Sequence, residues 1–244
     1  MRKSDHPKTL ETYYPLHQYK NYKDVPKHKN IDFALYFREF LERDDYKMLE
    51  IGCSTGNFLA NDPTNILGID INKNSLKLAK DRGFNVLCGD VEHGLFFKDN
   101  SFDAIYASHV IEHLNNQIYF LKECYRILKP DGLLIVITED FSKAYKVFYD
   151  DPTHRHPLTR RSLEKCALEA RFKKFKVERQ NVPTIMSLFV RKGLLSLNKA
   201  LLLSKILYNI GIYKHRYGTH VLTARKKKVK SENEHLHNIF SFSK

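Results

Sequence analysis

Met48-Leu49-Glu50-Ile51 is a short apolar strand that runs directly into Gly52-Cys53-Ser54-Thr55-Gly56-Asn57-Phe58. A second strand-like run, Asn65-Ile66-Leu67-Gly68-Ile69-Asp70, ends on a carboxylate eighteen residues after Gly52. No other stretch restricts the fold as tightly. Glycines at 52 and 56 let the backbone turn sharply and approach a ligand, and the amides opening the next helix can hold an anionic group. The carboxylate stands near the spacing of roughly 20 residues at which nucleotide-binding βαβ units place a ribose-binding acid. Together the strand, turn and acid describe a socket for a nucleotide-like cofactor.

The surrounding pattern supports that socket. Strand-like runs at 47–51, 65–70, 84–88, 102–107 and 132–138 are separated by helical stretches at 73–82 and 116–129. Such alternation predicts crossover units and a parallel sheet with helices on both faces. Ligands in these folds bind beyond the carboxyl ends of the strands, and Gly52, Asp70, Asp90 and Ser108 all fall just past a strand end. Residues 31–43 repeat apolar side chains at helical spacing, Lys129-Pro130-Asp131-Gly132 reads as a turn, and residues 172–178 and 219–224 read as two further strands.

Three chemistries compete for the turn. A nicotinamide or flavin dehydrogenase requires G-x-G-x-x-G, but the second and third glycine positions hold Ser54 and Asn57. A hydrolase would use Ser54 as the nucleophile of a G-x-S-x-G elbow, yet only one convincing strand precedes it and such an elbow needs several. The third reading rests on further blocks: Cys88-Gly89-Asp90-Val91-Glu92, Phe102-Asp103-Ala104-Ile105-Tyr106-Ala107-Ser108-His109-Val110-Ile111-Glu112-His113-Leu114, and Glu123 through Val136 with Lys129-Pro130-Asp131-Gly132 inside it. In order and spacing, over residues 46 to about 138, these blocks resemble the class I S-adenosylmethionine-dependent methyltransferases, of the type 11 and 12 kind that modify small molecules or glycans. A serine at 54 stands where that family usually has its central glycine.

The resemblance implies a Rossmann-like, doubly wound α/β sheet of seven strands, mostly parallel, with the last strand antiparallel in a terminal hairpin. It implies that Glu50 and the Gly52–Gly56 turn, including Ser54, hold the amino-acid end of S-adenosyl-L-methionine. Asp70 would take the ribose hydroxyls and Asp90 the adenine amino group with Val91 beside the ring, while Ile71 and Ser108 complete the set. Each glycine or aspartate taken singly is also an ordinary turn residue, so the weight lies in their joint order.

An activated methyl group needs little covalent help from a protein. It needs a nucleophile held in line, water kept out and, for a hydroxyl, a proton acceptor, which makes nearby histidines the candidates. His109, Glu112 and His113 follow the strand ending at Ala107 at spacings that would share one helix face. The same spacing fits H-x-x-E-H, with His109 and His113 as metal ligands, but no third ligand is identified and no metal is assigned. His154 lies in Asp150-Asp151-Pro152-Thr153-His154-Arg155-His156-Pro157, a proline-bracketed segment before a helix that Thr159 can cap. It resembles the Asp-Pro-Thr-His loop of methyltransferases associated with surface polysaccharides and glycolipids, and would cover the substrate side. His154, His109 and His113 are therefore the candidate catalytic residues.

With 244 residues and 42% hydrophobic content, the chain can bury one sizeable core. Cys53, Cys88, Cys124 and Cys166 lack paired or metal-type spacing and read as reduced fillers, and the polar N-terminus lacks an apolar leader; both favour the cytoplasm. The net charge of +13 divides into +4 over residues 1–30, −5 over 31–170 and +14 over 171–244. The expected organisation is a basic segment and cap helix (1–45), the cofactor-binding core (46–180), a leucine-rich basic helical insert (181–216), the final core strand (217–225) and a disordered basic tail (226–244). Residues 186–210 could act as a lid over the substrate, a peripheral membrane contact or a dimer contact, and their apolar runs are too short to span a bilayer. The reading is an O-methyltransferase acting on a small molecule, a sugar or a lipid-linked glycan. Its rivals are an RNA methyltransferase, suggested by the basic tail but lacking any nucleic-acid module, and a non-catalytic cofactor-binding protein.

Overall fold

β1 (Met48–Ile51) is buried along its whole length, as expected of an apolar strand with neighbours on both sides. It pairs in parallel with β2 (Ile66–Asp70) and with β4 (Phe102–Ser108). The computed structural model describes residues 36–40, 43–180, 199, 202, 203, 206 and 219–227. Within them, β3 (Val86–Cys88), β5 (Leu128–Glu139), β6 (Lys174–Gln180) and β7 (Thr219–Arg225) complete a seven-stranded sheet of order β3-β2-β1-β4-β5-β7-β6. β7 runs antiparallel to both β5 and β6, which is the terminal hairpin implied by the sequence. The strand order reverses between β1 and β4, so the crevice at their carboxyl ends is the place for a ligand.

Side chains alternate between two packed layers. Leu49, Ile51, Ile105 and Val136 face α2 (Gln117–Ile127) and α4 (Arg160–Glu169), packing with Phe120, Leu121, Leu163 and Ala167. Met48, Tyr106 and Ile135 face the other way and pack with Phe37, Phe58 and, from α1 (Lys73–Asp81), Leu76 and Ala79. The helix ends follow local chemistry. Asn72 caps α1 by accepting the amides of Asn74 and Ser75, and Thr159 caps α4 in a reciprocal pair with Ser162. A short helix, α3 (Phe141–Ala144), is capped by the buried Asp140 directly after β5.

Several boundaries differ from the sequence reading for identifiable reasons. β5 starts at Leu128, yet the ladder jumps from Phe102–Leu128 to Ala104–Leu133, so the Lys129–Gly132 turn survives as a bulge around the amide-less Pro130. β3 starts at Val86 because Gly83, at φ +84°, and Phe84 return hydrogen bonds to the end of α1. Cys88 is exposed at the sheet edge, whereas Cys53 and Cys124 are buried fillers as expected. Of the expected helix at 31–43, the described part shows a 3₁₀ turn at Arg38–Phe40. Most of the basic N-terminal segment, of the leucine-rich insert and of the basic tail lies outside the described residues. Among the described residues no helix is long and apolar enough to cross a membrane.

Arg126 ties α2 to the loop that enters β4. Its guanidinium donates to the carbonyls of Leu95 (2.6 Å) and Phe97 (2.7 Å) and to the carboxylates of Glu123 and Asp99 (2.8 Å each). The Arg126 hydrogen bond holds the Glu123 carboxyl below its usual value. A depressed carboxyl contributes stability that is complete above its unfolded pKa and is lost as pH falls through the folded one. Arg126→Met should cost about 2 kcal/mol at neutral pH by orphaning these acceptors. Urea denaturation should show the gap from the parent chain narrowing below the ordinary carboxylate range.

Candidate cofactor and acceptor site

The turn after β1 is built to be tight. Gly52 (φ +76°) donates its amide to the Ile69 carbonyl at 2.8 Å, and any Cβ there would collide with the Val110 side chain. Gly56 (φ +84°) leaves no room for a Cβ either, since one would sit 2.5 Å from the Phe84 ring. Ser54 stands in the left-handed region at φ +46°, a strain of about 1 kcal/mol that the more usual glycine would avoid. Its amide donates to Asp70 Oδ2 at 2.8 Å, while the Asn72 amide donates to Oδ1 at 2.7 Å. The expected helix after the turn is only a 3₁₀ turn, Leu59–Asn61, so no row of helix amides faces the ligand.

Instead, the Leu59 amide hydrogen-bonds the Glu50 carboxylate. Glu50 is 6% exposed, and its Oε2 has no hydrogen-bond partner among the described residues. Burial, reinforced by the Asp70 charge, pushes the Glu50 carboxyl well above its usual value. A buried carboxyl oxygen left without a donor is costly. It fits the ammonium of an amino-acid group, which would supply both a donor and a positive charge.

Of the nine residues expected around the cofactor, eight line one cavity of about 380 Å³ between Glu50 and Asp90. The ninth, Gly56, lies behind the wall and serves the turn. Burial raises the Asp70 carboxyl despite hydrogen bonds from the Asn72, Ser54 and Ile71 amides. Asp90 caps the short turn Val91–His93 by accepting the Glu92 amide at 3.0 Å, which fixes its carboxylate at the far end. Tyr106 and Phe58, stacked with ring centroids 4.0 Å apart, form part of the wall, as does Asn72. The sequence reading missed these three. The helix-capping position of Asn72, just past Asp70, was a usable signal; the aromatic stack, formed by residues 48 apart, left none.

The histidines do not share a helix face. His109 leaves β4 at φ +53°, and only Ile111–His113 is helical, as a 3₁₀ turn. His109 is half-exposed and lines the cavity, with Nδ1 3.0 Å from Oε1 of the fully buried Glu112. His113 also lines the cavity, whereas His154 lies behind it, with ring centroids 4.8 Å apart. Nδ1 of His113 is 2.9 Å from Thr153 Oγ1, and Nδ1 of His154 is 2.6 Å from the Phe148 carbonyl. The amides of Arg155 and His156 donate to the Glu112 carbonyl, which locks the 151–156 loop against this cluster. Burial lowers the His113 pKa. Burial works to raise the Glu112 carboxyl, but the His109 hydrogen bond and the nearby imidazoles override it and leave it below its usual value. Glu139, at the tip of β5, interacts electrostatically with the same cluster and is raised by its own burial. It was not among the sequence candidates.

Because Glu50 is raised, an ammonium-bearing ligand must bind its ionised form and displace a proton. S-adenosylhomocysteine should therefore bind more tightly as pH rises through the Glu50 value. Calorimetry at mildly acid pH in buffers of different ionisation heat should detect proton release, and Glu50→Gln should abolish it. An equal heat in all buffers for the parent chain would contradict this reading of Glu50.

Comparison with known proteins agrees with this geometry. A family described as a methyltransferase domain matches residues 49–136. An uncharacterised protein of Methanocaldococcus jannaschii is 34% identical over 137 residues, covering 54% of this chain and 59% of that protein. The mitochondrial ubiquinone biosynthesis O-methyltransferase of Rattus norvegicus is 32% identical over 106 residues, covering 38% of this chain and 30% of the rat protein. The chain thus spans less than two thirds of either relative. A crystal structure of a methyltransferase dependent on S-adenosylmethionine, from Archaeoglobus fulgidus, shares the fold with a TM-score of 0.60 at 22% identity, over 81% of this chain and 92% of its own. Residues 49–136, which carry most of the site, are thus similar to a methyltransferase domain, and the sheet shares the fold of a methyltransferase dependent on S-adenosylmethionine.

Proposed function

We propose that this protein transfers a methyl group from S-adenosylmethionine to a hydroxyl oxygen of a small molecule, a sugar or a lipid-linked glycan. The observation that carries the reading is a cavity lined by Glu50, Asp70 and Asp90 whose wall also carries His109, itself hydrogen-bonded to Glu112. When bound, the cofactor supplies a methyl group already activated on a sulfonium. Glu50 holds the ammonium of its amino-acid end, Asp70 takes the ribose hydroxyls, and Asp90 receives the adenine amino group.

His109 is the proton acceptor in this reading. With Glu112 accepting from Nδ1–H, the neutral imidazole carries its lone pair on Nε2. The left-handed backbone at His109 swings the ring off the strand, as strained residues at functional sites often do. Nε2 would take the proton of an acceptor hydroxyl held beside the cofactor site, and the bound cofactor would supply the methyl group that the oxygen receives. His113 and His154 hold the acceptor side of the site in place.

The leucine-rich residues 186–210 serve as the acceptor's cover. Support comes from the strands that bracket them. Gln180 ends β6 and Thr219 begins β7, and both sit in register with Glu139 at the carboxyl end of β5, the sheet edge where the cavity opens. Leu202, Leu203 and Ile206 are exposed, which leaves apolar surface for an acceptor with a lipid or hydrophobic portion.

Methyl-labelled cofactor incubated with the purified chain and a fractionated lysate should label the small-molecule, glycan or lipid fraction. Label confined to RNA or protein would contradict the proposed acceptor class. His109→Ala should lower turnover by roughly 10²–10⁴ and leave cofactor affinity unchanged. Unchanged turnover would remove His109 from the mechanism.

A further inference from the structure

We propose that Glu112, His113 and His154 form a binding site for a divalent transition-metal cation of the zinc class, placed to hold the acceptor oxygen beside the cofactor pocket. Each of the three residues offers one ligand atom, and these atoms lie within 4.8 Å of one another. Two imidazoles and one carboxylate form a donor set that suits zinc and leaves coordination positions open for an incoming oxygen. The H-x-x-E-H spacing had pointed to His109 and His113 and lacked a third ligand. The fold replaces His109 with Glu112 and brings His154 in from forty-one residues further along the chain.

Two independent observations support the site. First, Glu112 is fully buried, and although His109 meets its Oε1, its Oε2 has no hydrogen-bond partner among the described residues. A buried carboxylate oxygen left in this way is costly, and a cation at the point where the three side chains meet would satisfy it. Second, the groups behind both imidazoles set their tautomers. The Phe148 carbonyl can only accept, so His154 carries its hydrogen on Nδ1 and its lone pair on Nε2. Thr153 Oγ1 donates its own hydrogen to Asp151 Oδ1 at 2.6 Å, so toward His113 Nδ1 it is an acceptor, and His113 adopts the same tautomer. Fixing Nδ1–H on an oxygen while Nε2 carries the ligand lone pair is how outer-shell groups orient metal-binding histidines.

The site adjoins the chemistry. His113 lines the cavity, and Glu112 meets His109 through Oε1, so Oε2 is the oxygen assigned to the cation. An acceptor hydroxyl resting on the cation would lose its proton to His109 more readily. Its oxygen lone pair then forms the new bond to carbon, and the electrons of the breaking carbon–sulfur bond return to sulfur, leaving a neutral thioether. This role rests on the proposed methyl transfer; the cation site itself does not.

The test uses the full chain after treatment with a chelator. Zinc titrated by calorimetry should bind at one equivalent, and cobalt(II) in its place should give a visible absorption band. His154→Gln and His113→Gln should each weaken zinc binding by at least about tenfold while S-adenosylhomocysteine still binds, which confirms that the variants are folded. Methyl transfer should fall on chelation and return with zinc. Absence of saturable zinc binding, or zinc affinity in both variants equal to that of the parent chain, would overturn the site. Zinc binding with transfer indifferent to the chelator would overturn its role. Zinc and S-adenosylhomocysteine both bound with no transfer to any acceptor would instead overturn the proposed activity.

Discussion

The Asp70 carboxylate is the constraint on which the site depends. One oxygen accepts the Ser54 amide from the turn after β1, and the other accepts the Asn72 amide at the start of α1. Two strand tips and two loops are thereby fixed around a single, partly buried acid. The clamp keeps Ser54 in its left-handed conformation and sets the glycine turn beside Glu50. Because each carboxylate oxygen has a second lone pair, Asp70 can anchor the backbone and still receive ligand hydroxyls. Loss of this acid would loosen the turn as well as remove a ligand contact.

A second shared group organises the acceptor side. Glu112 meets His109 through its side chain and the 151–156 loop through its backbone carbonyl. The loop in turn brings Thr153 to His113 and His154 to the same corner. Cofactor and acceptor halves therefore meet at β4, whose end carries Ser108 and His109. His109, the buried Glu112 carboxylate and the two imidazoles of His113 and His154 are packed into one small region because a 3₁₀ turn and a proline-bracketed loop converge there.

The sequence made the cofactor half legible and the acceptor half only partly so. Glu50, Gly52, Asp70 and Asp90 sit at strand ends, and strand ends can be read from short apolar runs followed by turn residues. The parallel sheet followed from the alternation, and the terminal hairpin from the family resemblance, whereas the strand order emerges only in the structure. The acceptor cluster depends on contacts between residues about forty positions apart, such as His113 with Thr153, which no local pattern encodes. Helical spacing misled at His109 because a left-handed residue after β4 breaks the periodicity. Glu139 was missed because an acid after an apolar strand reads as the edge of a loop, and its burial depends on the packing of the neighbouring cluster.

The most direct measurement of the central claim is calorimetric titration of S-adenosylhomocysteine into the purified chain, with an Asp70→Ala variant alongside. A cavity organised by Asp70 predicts saturable one-to-one binding in the micromolar range or tighter for the parent and at least about a tenfold loss in the variant. No binding by the parent chain at millimolar ligand, or equal affinity in the two proteins, would contradict the account.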